Sequence, residues 1–139
     1  MAAMRISRFV TLAPALLLVV SACSKPGNSS SVPAQLGANA LEELAEVYKF
    51  IRAEKQPLPR QLSDLDTYRD SLPTAYDQLQ RGQIVVAWGV GLGATSDAGA
   101  TVLAYDKDAA TAGGLVLLQS GSVKSVTAAE FKTLRKAAK

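Results

Sequence analysis

The stretch Gln83-Ile84-Val85-Val86-Ala87-Trp88 decides the fold, because the spacing of apolar residues changes there. Before it, apolar residues recur with the period of an amphipathic helix, whereas within it they are consecutive and β-branched, which favours a strand. Three further strands are predicted at 101–105, 114–119 and 121–126, the last two joined by a tight Ser120-Gly121 turn. The chain is therefore predicted to be helical before residue 83 and largely β after it.

The helical half is predicted to begin with one long helix, from about Leu36 to Glu54. Its apolar stripe consists of Leu41, Leu44, Ala45, Tyr48 and Ile51. Pro57-Leu58-Pro59 is expected to end it, since residues before proline are disfavoured in the helical region. A short second helix is predicted over 61–65, followed by an irregular, partly helical segment that closes at Gly82. Phe50 lies off the stripe and is either a partner contact or a single exposed apolar residue.

A capping-box pattern, Thr127-Ala128-Ala129-Glu130, predicts a terminal helix with Phe131 and Leu134 on its inner face. Four basic residues at the end of the chain are interpreted as a solvated helix end, where cations suit the helix dipole. The alternative interpretation is a contact with lipid headgroups or a polyanion. The four residues are Lys132, Arg135, Lys136 and Lys139. The predicted fold class is α+β, with a long N-terminal helix, an irregular proline-containing segment, a three- to four-stranded antiparallel sheet and a short C-terminal helix.

The N-terminal segment has the pattern of an export signal. Arg5 and Arg8 precede an apolar run over 9–20, which spans about 18 Å as a helix against about 30 Å of hydrocarbon. The following Val20-Ser21-Ala22-Cys23 resembles the lipobox of bacterial lipoproteins. The resemblance implies cleavage before Cys23, a diacylglycerol on its sulfur and a third acyl chain on the new amino terminus. The alternative is an ordinary secretory signal with a chance cysteine, or a buried thiol.

Three regions follow from this pattern: a lipoprotein signal peptide at 1–22, a flexible lipid-anchored tether at 23–35 and an α+β domain at 36–139. The tether is predicted because the residues after Cys23 are polar, rich in serine and proline, and without periodicity. Ser24 favours the outer membrane under the sorting rule of enteric lipoproteins. We therefore expect a cell-envelope protein, anchored by lipid in the outer membrane and facing the periplasm.

The composition argues against several function classes. Removing the signal lowers the net charge from +3 to about +1, which leaves no electrostatic footprint for nucleic acid. The chain has no histidine, so triads and zinc sites that need imidazole are excluded. Gly89-Val90-Gly91-Leu92-Gly93-Ala94 fits a dinucleotide fingerprint, but turn-like residues rather than a helix follow it, so a loop is predicted. We predict a protein that is not an enzyme and has no cofactor, calcium being the one candidate.

Two segments of the predicted domain carry a resemblance to pilin-like proteins. Pro57-Leu58-Pro59-Arg60-Gln61-Leu62-Ser63-Asp64-Leu65 resembles the segment after the long helix in major (G-type) pseudopilins of type II secretion. The stretch from Gly114 to Lys124 is similar to the C-terminal region of planctomycete pilin-like proteins. The resemblance implies association with a type II secretion or pilus-like apparatus. A lipobox and a polar tether replace the filament-forming helix of a pseudopilin, which implies a fixed envelope protein.

The G-type family also carries a calcium site built from acidic residues in a C-terminal loop. Asp106 and Asp108 are the nearest candidates here, and Asp97 and backbone carbonyls are possible additions. Calcium takes six to eight oxygens, so a solvated hairpin turn is the alternative interpretation. The predicted function is a structural or interaction module whose partners are the membrane and an envelope or secretion-apparatus protein. The alternative is a periplasmic lipoprotein that binds calcium or a small ligand through loops 89–99 and 106–112.

Overall fold

The computed structural model describes residues 32–93 and 96–138, with side chains over 37–93 and 97–138. The predicted signal peptide and Cys23 lie outside these ranges. The fold is α+β, as predicted. Its helices are α1 Val32–Ala53, α2 Pro73–Gln80, α3 Ala109–Ala112 and α4 Ala128–Thr133, and its 3₁₀ segments are Leu62–Ser71 and Ser96–Gly99. Its strands are β1 Ile84–Val86, β2 Thr101–Asp106, β3 Gly114–Leu118, β4 Val123–Val126 and β5 Arg135–Lys136.

Helix α1 buries the stripe that the sequence predicts, and the five residues of that stripe are all buried. The helix begins at Val32 rather than at about Leu36, so residues 32–35 of the predicted tether belong to it. It ends at Ala53, before Pro57 is reached, and Lys55, two residues after its end, has a left-handed φ of 54°. The Gln56 amide then donates to the Ile51 carbonyl (2.9 Å) and the Lys55 amide to the Arg52 carbonyl (3.3 Å). This is a Schellman motif, which satisfies the last carbonyls of the helix.

Helix α2 lies within the segment before Gly82 that the sequence predicts to be irregular and partly helical. Leu72 occupies its N-cap position and makes no side-chain capping bond, whereas Pro73 suits its first turn. The cap comes from α1: one carboxylate oxygen of Glu43 accepts hydrogen bonds from the amides of Thr74 and Ala75, each at 2.9 Å. The second helix of the sequence prediction, at 61–65, is part of the longer 3₁₀ segment.

The sheet has the order β1-β2-β3-β4 with antiparallel neighbours, and β5 pairs with β2 in parallel. Strand β5 corrects the interpretation of the basic residues as a solvated helix end. Helix α4 stops at Thr133, and Arg135 and Lys136 then pair with Thr101 and Val102. The ammonium of Lys136 still donates to the carbonyl of Phe131 (3.1 Å), so this cation does stabilise the end of α4.

Each face of the sheet has its own apolar core. The larger core lies between α1, α2 and one face of the sheet, and Tyr48, Leu103 and Leu117 are among its fully buried members. The smaller core lies under α4, where Phe131 packs with Val116 and Val126. The predicted capping box of α4 is present: the Glu130 amide donates to the Thr127 hydroxyl (3.2 Å) and the Thr127 amide to the Glu130 carboxylate (2.8 Å). No helix among the described residues has a stretch long and apolar enough to cross a membrane.

Candidate functional site

Asp106, one of the two candidate calcium ligands, lies at the end of β2 and is half-buried. One of its carboxylate oxygens accepts a hydrogen bond from the Leu115 amide at 2.8 Å, which joins β2 to the start of β3. Burial raises the pKa of this carboxyl, the Leu115 hydrogen bond lowers it, and the nearby Asp108 raises it further. A Cβ added at Gly114 or Gly37 would lie 3.1 or 3.3 Å from its oxygens. Asp106 therefore joins β2 to β3 and lies close to Gly37 of α1.

Asp108, the second candidate ligand, is exposed and immediately precedes α3. Together with Asp106 it lines a groove of about 290 Å³, whose opposite wall is helix α2. That wall contributes Asp77, which pairs with Arg81 at 3.0 Å. The groove thus has three carboxylates, neutralised in part by Arg81 and by Lys107. Within the described ranges, no group of three or more potential metal ligands is arranged to hold an ion.

Asp97, which the sequence suggested as a further calcium ligand, lies away from this groove. It precedes β2, and its carboxylate pairs with the guanidinium of Arg135 at 3.3 Å. Asp106 is at the other end of the same strand, and a six-residue strand is about 20 Å long. The structure therefore brings Asp106 and Asp108 together and leaves Asp97 out.

The glycine-rich segment is described from Gly89 to Gly93, and its backbone is held on two sides. The Gly89 amide donates to the Pro59 carbonyl (2.7 Å), and the Gly93 amide donates to the Gln119 carbonyl (3.0 Å). At Gly91 an added Cβ would lie 2.7 Å from a methyl group of the exposed Leu58 side chain, which would have to move to make room for it. The next described element is the 3₁₀ turn Ser96–Gly99 rather than an α-helix, so the helix N-terminus that holds a pyrophosphate is missing there.

A second surface lies at Phe50, which is 52% exposed, as its position off the α1 stripe predicts. Its ring meets the ring of Tyr68 edge-on, with centroids 6.0 Å apart. Glu46, Val47 and Ser71 complete an apolar cleft of about 290 Å³, which we call the Phe50 cleft. The sequence suggested Tyr68 as one of several aromatic residues that line a groove or belong to the core or its rim. Its pairing with Phe50 required the tertiary structure, because no local pattern aligns the 3₁₀ segment with α1.

One buried polar group has no obvious function in the fold. Tyr48 is 1% exposed in the larger core, and its hydroxyl has no hydrogen-bond partner among the described residues. Burial raises the pKa of this phenol well above its ordinary value. Since a buried hydroxyl normally has a hydrogen-bond partner, the unpaired hydroxyl of Tyr48 destabilises the folded state.

Comparison of the chain with protein-family models, with curated proteins and with solved structures gives no match. Among the described residues, the groove at Asp106 and the Phe50 cleft are the two candidate functional surfaces.

Proposed function

We propose that this protein is a lipid-anchored, non-enzymatic envelope protein whose domain acts as an interaction module. The observation that carries the proposal is Phe50, a large aromatic residue that is more than half exposed beside an apolar cleft. Exposed aromatic side chains next to apolar depressions are typical of protein contacts, whose cores are enriched in such residues. The absence of histidine from the chain and the structural use of the Asp106 carboxylate support a non-enzymatic function.

The membrane is the first partner, reached through acyl chains on Cys23. The lipobox pattern over 20–23 supports this, and each buried methylene contributes about 0.8 kcal/mol, so two or three chains anchor stably. The proposed location is the outer membrane, with the domain facing the periplasm. Association with a type II secretion or pilus-like apparatus is supported by the resemblance at 57–65 and 114–124 alone.

Lipidation is tested by Cys23→Ser in the full chain. We expect the variant to leave the membrane fraction and to lose the mass of the acyl groups. Unchanged fractionation together with unchanged mass would refute the anchor.

The interaction surface is tested by placing the photo-crosslinking residue p-benzoylphenylalanine at position 50 of the full chain in living cells. Val85 is the matched control position, because it is also an exposed apolar residue but lies on β1, outside the Phe50 cleft. We expect a discrete protein adduct from position 50 and none from position 85. If position 50 gives no adduct above the control, the proposal of an interaction module at this surface fails.

The second candidate function is a periplasmic lipoprotein that binds calcium or a small ligand. The observation that favours it is that Asp77, Asp106 and Asp108 line one groove. A metal that binds only the native state raises the melting temperature with concentration. Thermal unfolding of the full chain in increasing calcium, beside an Asp108→Asn variant, is the test. No shift at about millimolar calcium, a concentration that saturates weak extracellular sites, rules calcium out.

A further inference from the structure

We propose that β5 is an autoinhibitory strand: it occupies a strand-binding edge of β2 and leaves this edge, while the rest of the domain stays folded, to admit an extended basic segment of another protein. Three observations carry the inference: the small contact between β5 and β2, the hinge before β5 and the chemistry of the edge that β5 covers. The inference goes beyond the proposed function, because it concerns neither the Phe50 cleft nor the groove at Asp106.

One edge of β2 is shared by two strands. Strand β1 pairs with residues 104–106, whereas β5 pairs with Thr101 and Val102. When β5 leaves, no other described strand lies beside Thr101 and Val102 on that edge. An uncovered strand edge is a template for another extended chain, because its peptide groups lack partners.

Strand β5 is held by few contacts. It pairs over two residues, and the Ala137 amide adds a hydrogen bond to the Val102 carbonyl (2.8 Å). The Arg135 guanidinium lies 3.3 Å from the Asp97 carboxylate, but both side chains are mostly exposed, so this ion pair contributes little. Fixing the backbone of one residue costs about as much free energy as one hydrogen bond returns, so so short a strand gains little by staying in place. It therefore detaches by local unfolding.

The hinge for this movement lies between α4 and β5. Helix α4 is fixed to the domain by the buried ring of Phe131 and by its capping box. Leu134, the residue after Thr133, is already extended, with φ −71° and ψ 140°. A rotation at this element end moves β5 as a unit and leaves α4 in place.

The resident strand shows which ligand chemistry the edge accepts. Arg135 faces the carboxylate of Asp97, and the ammonium of Lys136 lies 4.1 Å from the centroid of the Phe131 ring. The same ammonium donates to the Phe131 carbonyl at 3.1 Å. The edge thus has an anionic and an aromatic contact for two consecutive cations, which favours an extended segment with adjacent basic residues.

The test measures how tightly the full chain in detergent binds a fluorescent peptide with the sequence of residues 134–138. Ala137→Pro removes the amide that donates to the Val102 carbonyl, so it releases β5 and leaves the edge of β2 unchanged. We expect this variant to bind the peptide about tenfold more tightly than the wild type, the change that 1.4 kcal/mol produces. Ala138→Pro is the matched control, because none of the described backbone hydrogen bonds uses the Ala138 amide, and it should bind as the wild type does. Thermal unfolding of each variant checks that the domain remains folded.

A further variant holds β5 in place. Thr101→Cys/Arg135→Cys replaces two register partners, so a disulfide between them fixes β5 to β2. We expect no peptide binding to the oxidised variant, and binding at the wild-type level or above after reduction.

Each outcome bears on one part of the proposal. Equal affinities of the wild type, Ala137→Pro and the oxidised variant overturn the autoinhibition. A lack of peptide binding to Ala137→Pro overturns the strand-binding edge. A peptide in which glutamate replaces both basic residues should bind Ala137→Pro about tenfold more weakly, and equal binding overturns the assigned ligand chemistry. None of these measurements involves Phe50, so their failure leaves the proposed function standing.

Discussion

Replacing Tyr48 by phenylalanine should stabilise the protein, although it removes a polar group and adds no contact. The hydroxyl of Tyr48 is buried in the larger core without a partner. A buried hydroxyl that has lost its water and gained no hydrogen bond costs about 1–3 kcal/mol. Tyr48→Phe keeps the ring and leaves a void of roughly one oxygen atom, which costs about 0.3 kcal/mol at 24 cal/mol per Å³. We expect a net gain of about 1–2 kcal/mol in the free energy of unfolding.

The effect should depend on pH in a defined direction. In the unfolded chain the phenol titrates near 10, whereas burial raises the pKa of Tyr48 in the folded state. This difference in pKa favours the folded state, and its full contribution is present below about pH 10. As the pH rises from there toward the folded pKa, the free energy of unfolding falls by about 1.4 kcal/mol per pH unit. The phenylalanine variant lacks this loss. Its advantage over the wild type should therefore widen above pH 10.

Urea unfolding at pH 7 and at pH 10.5 provides the assay. A gain of 1–2 kcal/mol moves the midpoint by about 0.5–1 M urea with the slope unchanged. Tyr105→Phe is the control, because the Tyr105 ring is only partly buried and its hydroxyl is not an unpartnered buried group. A loss of about 1 kcal/mol or more in Tyr48→Phe would refute the reasoning, since it would mean that the hydroxyl has a partner such as a buried water.

Three further predictions use the same unfolding assay. Lys55→Gly should stabilise by about 0.5–1 kcal/mol, because the left-handed φ of 54° strains a residue with a Cβ; Arg52→Gly, within the helix, should destabilise. Glu43→Ala should cost about 1–3 kcal/mol, because two amides of α2 lose their acceptor, and Glu43→Gln should cost less; equal costs would contradict the capping role. The stability of Asp106→Asn relative to the wild type should increase as the pH rises from about 4 to 7, because burial raises the carboxyl pKa and the wild-type protein therefore loses stability over that range. A difference in stability that stays constant with pH would show that burial does not govern this carboxyl.

The parts of the fold that the sequence predicts are those specified by neighbouring residues. The stripe of α1 and the capping box of Thr127 and Glu130 involve residues within one or a few turns, and both are confirmed. The first four strands follow from short stretches of apolar or β-branched residues, although β1 is shorter than predicted because only Ile84–Val86 pair with β2.

The parts that the sequence misses depend on partners far along the chain. Helix α2 has no capping residue of its own, since its cap is Glu43, more than thirty residues earlier. Strand β5 consists of Arg135 and Lys136, which are charged and lack any strand pattern, and its pairing with β2 defines it. At the candidate site, the grouping of Asp106 with Asp108 follows from their spacing, whereas the approach of Asp77 from α2 required the tertiary structure.

The parallel pairing of β5 with β2 has a consequence for how the chain reaches its final state. Strand β2 is followed along the chain by β3, β4 and α4, and β5 comes after every other described strand and helix. The position beside Thr101 and Val102 therefore stays vacant until residues 135–137 have emerged, and the Val102 carbonyl then receives the Ala137 amide at 2.8 Å. The chain thus completes its sheet with the last of its described strands, and loss of residues 135–137 would remove the pairing that β5 supplies to Thr101 and Val102.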